Sequence, residues 1–224
     1  RAYASTTWNV APGESINDAI ALASNYDIIQ LEAGTYAQGA VINNFGKPIT
    51  IKGVPDADGD GIPETVLTGG GMHRVFEITG NDGIALARVY FQDLHITNGY
   101  SAVGSGIYKA AVAEEMSIIA YRCVFSDHYG GLDGGAVYIG GSTSQGKFFD
   151  CIFRDNEAGS GGGGLRYFGS DGSVTRCVFT GNQTSADGGA ILIDATSEVV
   201  ITQSFFQGNA ANTSGAAIST ISSP

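Results

Sequence analysis

Through the second half of the chain apolar and polar positions alternate with a period of two over short runs, each closed by Gly, Asn or Asp. Alternation of that kind predicts strands with one buried face; a helix would need apolar positions three and four apart over ten or more residues. The runs also recur. Arg122-Cys123-Val124-Phe125, Asp150-Cys151-Ile152-Phe153, Arg176-Cys177-Val178-Phe179 and Gln203-Ser204-Phe205-Phe206 are copies of one unit, with Phe-to-Phe steps of 28 (125→153), 26 (153→179) and 27 (179→206). Asp93-Leu94-His95-Ile96 is an earlier copy. Asn156, Asn182 and Asn209 each follow their Phe by three, with His128 in the first slot. Each copy then leads into a small-residue strand start: Gly134-Gly135-Ala136-Val137, Gly163-Gly164-Leu165, Gly188-Gly189-Ala190-Ile191 and Gly215-Ala216-Ala217-Ile218.

A drifting period near 27 residues that mixes two-residue alternation with Gly and Asn punctuation is the pattern of a solenoid. Stacking strand above strand predicts a parallel β-helix, rising by the ~4.8 Å strand spacing per coil. Gly and Asn then mark corners that need positive φ or close backbone approach. Stacked Asn side chains at one corner are predicted to bond from coil to coil, as amide ladders do.

The first part differs. Ser15 with Asp18 makes a capping-box-like start, and Ile16, Ala19, Ile20 and Ala23 fall at helical spacing ahead of a strand at Asp27–Leu31. This short helix is expected to plug the N-terminal end of the stack. The last segment, Ile218–Pro224, stops inside the pattern without such a plug. One domain, 1–224, is expected, with tail and cap over 1–36, irregular coils over 37–93 and regular coils over 94–224.

Composition narrows the picture. Of 224 residues 34 are Gly, but only 5 are Pro and 43% are hydrophobic, so the chain is neither collagen-like nor a disordered tract. No apolar run is long enough to span a bilayer as a helix. Eleven Lys and Arg stand against 22 Asp and Glu, a net charge of −11. That argues against nucleic acid or an anionic membrane as partner. Three Cys are too few for a disulfide scaffold. The chain opens at Arg1, as a mature chain does after loss of a signal peptide, or as one cut at a boundary does.

Val10-Ala11-Pro12-Gly13, Ile16…Ala19-Ile20, Asp27-Ile28-Ile29 and Ala33-Gly34-Thr35-Tyr36 resemble the N-terminal capping region of pectate-lyase-like right-handed β-helices. The GGA-[VIL] and F-x-x-N elements resemble the repeats of polymorphic outer-membrane proteins. The resemblance implies an all-β, single-domain, right-handed parallel β-helix at the cell surface or outside the cell. It does not choose an activity, because the fold hosts lyases, hydrolases, adhesins and structural proteins.

In such a fold residues one period apart stack, so columns replace linear motifs. Asp93, Arg122, Asp150, Arg176 and Gln203 form a column of alternating sign, expected to be an ion-pair ladder that sets register. Cys123, Cys151 and Cys177 share inward parity with Phe125, Phe153, Phe179 and Phe206, which predicts small core thiols beside an aromatic stack. Between these columns lies an outward one: His95, Val124, Ile152, Val178 and Phe205. An apolar outer column is covered either by a loop or tail of the chain or by another subunit. Tyr138, Arg166 and Leu192 form a second outward column able to stack on a sugar ring.

Asp56-Ala57-Asp58-Gly59-Asp60-Gly61-Ile62-Pro63-Glu64 has Asp at alternate positions with Gly after the third. This resembles the start of a calcium loop, in which hard oxygens converge; Leu67 stands where an EF-hand places its Glu. Asp56, Asp58, Asp60 and Glu64 are the candidate Ca²⁺ ligands, and a solvated acidic turn is the alternative.

Catalysis is weakly indicated. Asp127, Asp155 and Arg154 make a crude cluster, but the N-x-D, D-D, G-H-G and R-x-K elements of the hydrolases are absent, and no catalytic residue is assigned. The favoured expectation is a non-catalytic extracellular structural protein. It would self-associate or assemble into a filament or surface array, or bind other surface proteins, through its coil ends and its outer face, at Val124, Ile152, Val178, Phe205, Ile218 and Ile221. A strand donated by Arg1–Thr7 is one route. Lyase or hydrolase action on an acidic polysaccharide and carbohydrate adhesion are the alternatives. Asn182-Gln183-Thr184 and Asn212-Thr213-Ser214 are glycosylation sequons.

Overall fold

The computed structural model describes residues 5–80, 87–109, 116–194 and 196–221. Among these the chain is a parallel β-solenoid of four sheets with eight, seven, five and seven strands, and its one helix is Ile16–Leu22. One regular coil shows the order: Met116–Tyr121 in the first sheet, Val124–Ser126 in the second, Tyr129–Asp133 in the third and Val137–Gly140 in the fourth. Each strand pairs in parallel with its copies in neighbouring coils. The third sheet starts only at Tyr100–Val103, so the coils below it lack that side.

In-register pairing turns the sequence repeat into columns. Val124 stacks on Ile152, then Val178, then Phe205, and Phe125 stacks likewise through Phe153, Phe179 and Phe206. The Phe rings lie face to face with centroids 4.7, 4.6 and 4.9 Å apart. Phe148 meets Phe125 and Phe153 edge-on. Burying each such ring contributes about 2–3 kcal/mol, with about 1 kcal/mol more per aromatic pair. Cys123, Cys151 and Cys177 are buried free thiols beside this stack. Burial and their mutual contacts push the Cys151 and Cys177 thiols up, which leaves them inert in the folded chain.

The Asn corner is a continuous ladder. Oδ1 of Asn156 accepts from the backbone of His128, Oδ1 of Asn182 accepts from that of Asn156, and Oδ1 of Asn209 accepts from that of Asn182. The amide nitrogens of Asn156 and Asn182 donate to the next Oδ1 at 2.8 and 2.9 Å, and also to the carbonyls of Phe125 and Phe153. His128 heads the ladder differently. Its Nδ1 accepts from Gly99 and its Nε2 donates to the Ile96 carbonyl, which assigns a neutral ring. Because Asn182 is fully buried in the ladder, its sequon is closed to glycosylation; Asn212 is exposed.

The GGA motif has two separate causes. Gly188 sits at φ +70°, where a side chain would strain the backbone. Gly189 has ordinary φ, but a Cβ there would lie 2.1 Å from the Ala216 carbonyl oxygen in the next coil. The second glycine is therefore required by stacking and not by turning.

The N-terminal region is tied down. Ser15 caps the helix by accepting from the Asp18 amide at 3.1 Å, and Ile16 and Ile20 are buried against the end of the stack. Lys47 Nζ closes the other end of the helix on the carbonyls of Ile20, Ala21 and Ala23. The expectation of a donated tail fails at its inner end: Thr7–Val10 is the first strand of the first sheet, in register with Ile28–Leu31. Asp27 holds it there, accepting from the Thr6 amide and Trp8 Nε1. Arg1–Ser5 includes residues outside those described.

Candidate interaction face and acidic loop

The second sheet's outer face is built from the outward positions of each strand, and its first feature is a cover. Between Lys52 and Thr65 the coil is interrupted by a loop closed at its base by the Glu64 amide on the Val54 carbonyl and the Val54 amide on Thr65 Oγ1. Inside the loop each carboxylate is a local acceptor. Asp56 takes the amides of Gly59 and Gly61, Asp58 that of Asp60, Asp60 that of Ile62 and Glu64 that of Ala57. The Gly59 and Gly61 amides hold the Asp56 carboxyl below its usual range.

Carboxylate oxygens of Asp56, Asp58 and Glu64 come within 4.8 Å of one another, and Asp60 stands outside that group. Three convergent hard oxygens suit a calcium-sized cation, which takes six to eight such ligands including backbone and water. Hydrogen bonding within the loop accounts for the same geometry without an ion.

The loop leans on the outer column and changes its character. Val124, expected on the partner face, is only 2% exposed. Pro55, Asp56, Gly61 and Pro63 roof a cavity of about 200 Å³ over Val124 and Ile152, closed at the side by Asp93, Arg122 and Asp150. Ile152, on the cavity floor, is half-buried; beyond the roof Val178 is half-buried and Phe205 is 55% exposed. Ile218 is not outward; it stacks on inward Ile191 and packs against the core, whereas Ile221 pairs with Asp194 on the outer side and is partly exposed.

His95 begins the same column. Its Nε2 is 2.8 Å from Ser126 Oγ, which in turn contacts Thr97 Oγ1. Burial, reinforced by Arg154, holds the imidazole below its usual pKa. Ser126 is fully buried, so the pair is not a presented nucleophile. Asp127 and Asp155 are corner residues in the left-handed region at φ 57° and 54°, and among the described residues neither pairs with Arg154.

The corner beside the cavity carries the charge column. Asp93, Arg122, Asp150, Arg176 and Gln203 all have φ near +50°. They pair in twos. Arg122 grips Asp93 through two bonds of 2.7 and 2.9 Å, and Arg176 grips Asp150 through two of 2.7 Å. No ion pair joins Arg122 to Asp150 among the described residues, so the ladder is two clamps and not one continuous chain.

Other surfaces hold groups that the sequence placed less sharply. On the fourth sheet the outward rings of Tyr108 and Tyr138 lie tilted against each other, and Arg74 lies over Tyr108 at 4.3 Å. Arg166 pairs with Asp133 and Asp194, while Leu192, assigned to the same outward column, is fully buried. Exposed Tyr100 and Tyr129 stack in the third sheet at 5.6 Å. Lys109, stacked between Ile78 and Ile139 in a fourth-sheet column, is buried, donates to the Gly140 carbonyl and has its pKa brought down to about 8 by burial.

Residues 176–194 match the Chlamydia polymorphic membrane protein (Chlamydia_PMP) repeat. That stretch holds Arg176, Cys177, Phe179, Asn182 and Gly188-Gly189-Ala190-Ile191, one member of each column described above. No curated protein matches the chain. The chain is thus a parallel β-solenoid carrying a repeat of the polymorphic membrane protein type.

Proposed function

We propose that this chain is a non-catalytic structural protein of the cell surface or extracellular space, and that it self-associates through the outer face of its second sheet. The observation that carries the reading is the upper part of the apolar column, half-buried Val178 and exposed Phe205, left uncovered beyond the acidic loop on an otherwise regular coil stack. Exposed contiguous apolar surface on a sheet is a mark of association. The match to a membrane-protein repeat supports the surface location. Calcium is the proposed ligand of the Asp56, Asp58 and Glu64 carboxylates, as a stabiliser of the loop that flanks this face.

Light scattering of the purified chain over a range of concentrations, with and without Ca²⁺, tests the reading. A mass that rises with concentration supports it, and a monomer throughout overturns it. A second reading, adhesion to carbohydrate, is favoured by the exposed Tyr100–Tyr129 stack, whose parallel rings offer a flat platform for a sugar. A glycan array separates the two: specific retention lost on Tyr129→Ala supports adhesion.

A further inference from the structure

We propose that His128 is an acid-released latch: protonation of its imidazole frees the amide of Gly99 and lets the start of the strand Tyr100–Val103 lift off the third sheet. The device goes beyond the association and adhesion readings above and depends on neither.

The ring stands in for one rung of the Asn ladder. In the next coil Oδ1 of Asn156 accepts from the His128 amide, and its Nδ2 donates to the Phe125 carbonyl. His128 repeats both roles one coil earlier: Nδ1 accepts from the Gly99 amide at 3.0 Å and Nε2 donates to the Ile96 carbonyl at 2.9 Å. A carboxamide keeps its acceptor as the medium turns acid. An imidazole does not, because the second proton goes to Nδ1 and turns the acceptor into a donor. Two donors then face each other at Gly99, and one of them has to leave. The ring has little room to step aside: a Cβ at Gly99 would lie 2.8 Å from Nδ1, and one at Gly106 would lie 2.8 Å from Nε2. His128 is only 1% exposed, so the closed form offers its charge no water.

What the latch holds is an edge. Tyr100–Val103 is the first strand of the third sheet and pairs on one side only, with Tyr129–Asp133, in a register that shifts between Ser101 and Val103. Arg74 clamps the far end through Ser101 Oγ and the Val103 carbonyl. Apart from the latch, the near end has single bonds from the Tyr129 amide to the Gly99 carbonyl and from the Tyr100 amide to the His73 carbonyl. Opening is therefore confined to Gly99 and Tyr100, and it takes the Tyr100 ring off Tyr129. The titratable groups whose charges bear on the ring are His95, on the strand below, which opposes its protonation, and its neighbour Asp127, which favours it. Burial outweighs both and holds the closed ring at about 4, against 6.5 for a ring in water. The open form gains as the pH falls below about 6.5 and stops gaining near 4, a rise of about fiftyfold between pH 7 and pH 4.5.

Hydrogen exchange at pH 7 and pH 4.5, corrected for the intrinsic pH dependence of amide exchange, tests the latch. Protection at Gly99 and Tyr100 is expected to fall about fiftyfold. Gln183 and Ala210, whose amides bond at the same corner of later coils, are expected to keep theirs. In His128→Asn the fall is expected to vanish, and in His95→Gln to persist. Protection that stays level at Gly99 and Tyr100, or that falls equally along the third sheet, overturns the inference. So does an unchanged fall in His128→Asn. Should that variant fail to fold, the ring is followed by NMR in the unmodified chain, where its titration is expected to coincide with the loss of protection. A ring that titrates while Gly99 stays protected overturns the latch as surely.

Discussion

The side-chain amide of Asn156 donates to Oδ1 of Asn182 across 2.8 Å, although the two residues are 26 positions apart in the chain. Nothing local holds either residue there. The bond exists because each coil places its Asn directly above the last, and the amide can donate and accept along the stack at the same time.

Replacing a middle rung should therefore cost more than replacing an end. Asn182→Leu removes bonds to the Phe153 carbonyl and the Asn209 side chain and strips Asn156 of its acceptor. A loss of about 2–4 kcal/mol is expected in urea denaturation, against about 1 kcal/mol for the partly buried Asn209→Leu.

His128 makes the same corner sensitive to acid. Burial lowers its pKa from 6.5 to about 4, so the unfolded chain takes up a proton that the folded chain refuses. Its contribution is complete above about pH 6.5 and is lost as the pH falls toward 4, up to roughly 3 kcal/mol. His128→Asn continues the ladder without a titrating ring. The difference in urea midpoint between the two proteins is expected to grow in favour of the variant from pH 7 to pH 4.5.

The two corner clamps have similar bonds and different burial. Asp93 has only 3% of its side chain exposed and Asp150 has 42%. Arg122→Gln leaves a buried carboxylate without its cation and is expected to cost about 3 kcal/mol. Arg176→Gln, at a solvent-screened pair, is expected to cost less than about 1 kcal/mol. Thermal melts of the two variants side by side check the ranking.

Gly189→Ala adds a single methyl where the next coil's carbonyl stands 2.1 Å away. The coil must separate to admit it, and a loss of about 3 kcal/mol is expected in urea denaturation. Gly208→Ala is the contrast: it meets no atom closer than 3.9 Å and strains only its φ of +64°. About 1 kcal/mol is expected there.

Calcium at a hundredfold excess over its dissociation constant is expected to stabilise the chain by about 2.7 kcal/mol if the loop binds it. The rise in melting temperature should vanish in Asp58→Asn combined with Glu64→Gln. No rise with the unmodified chain would remove calcium from the loop.

Much of the fold was legible because a solenoid writes tertiary contacts as sequence period. The Phe, Cys and Asn columns, the corner glycines and the capped helix at Ile16 all follow from spacing and residue type. The outer surface was less legible. Val124 and Val178 occupy the same position in their units, yet one is sealed and the other half-open, because the loop that covers Val124 departs from a coil far back in sequence. Leu192 was hidden for a related reason: position in the repeat indicates which way a side chain points, but not what lies over it.

What the sequence determined by itself was therefore the coil: strand alternation, the stacking register and the corner chemistry, each repeated often enough to be read from one-dimensional order. What only the tertiary structure decided was the use of the surface. The reach of Val54–Glu64 across neighbouring coils, the pairing of the charge column into two clamps and the recess above Val124 and Ile152 all depend on distances between coils. Those distances are fixed by packing and have no counterpart in the period of the chain.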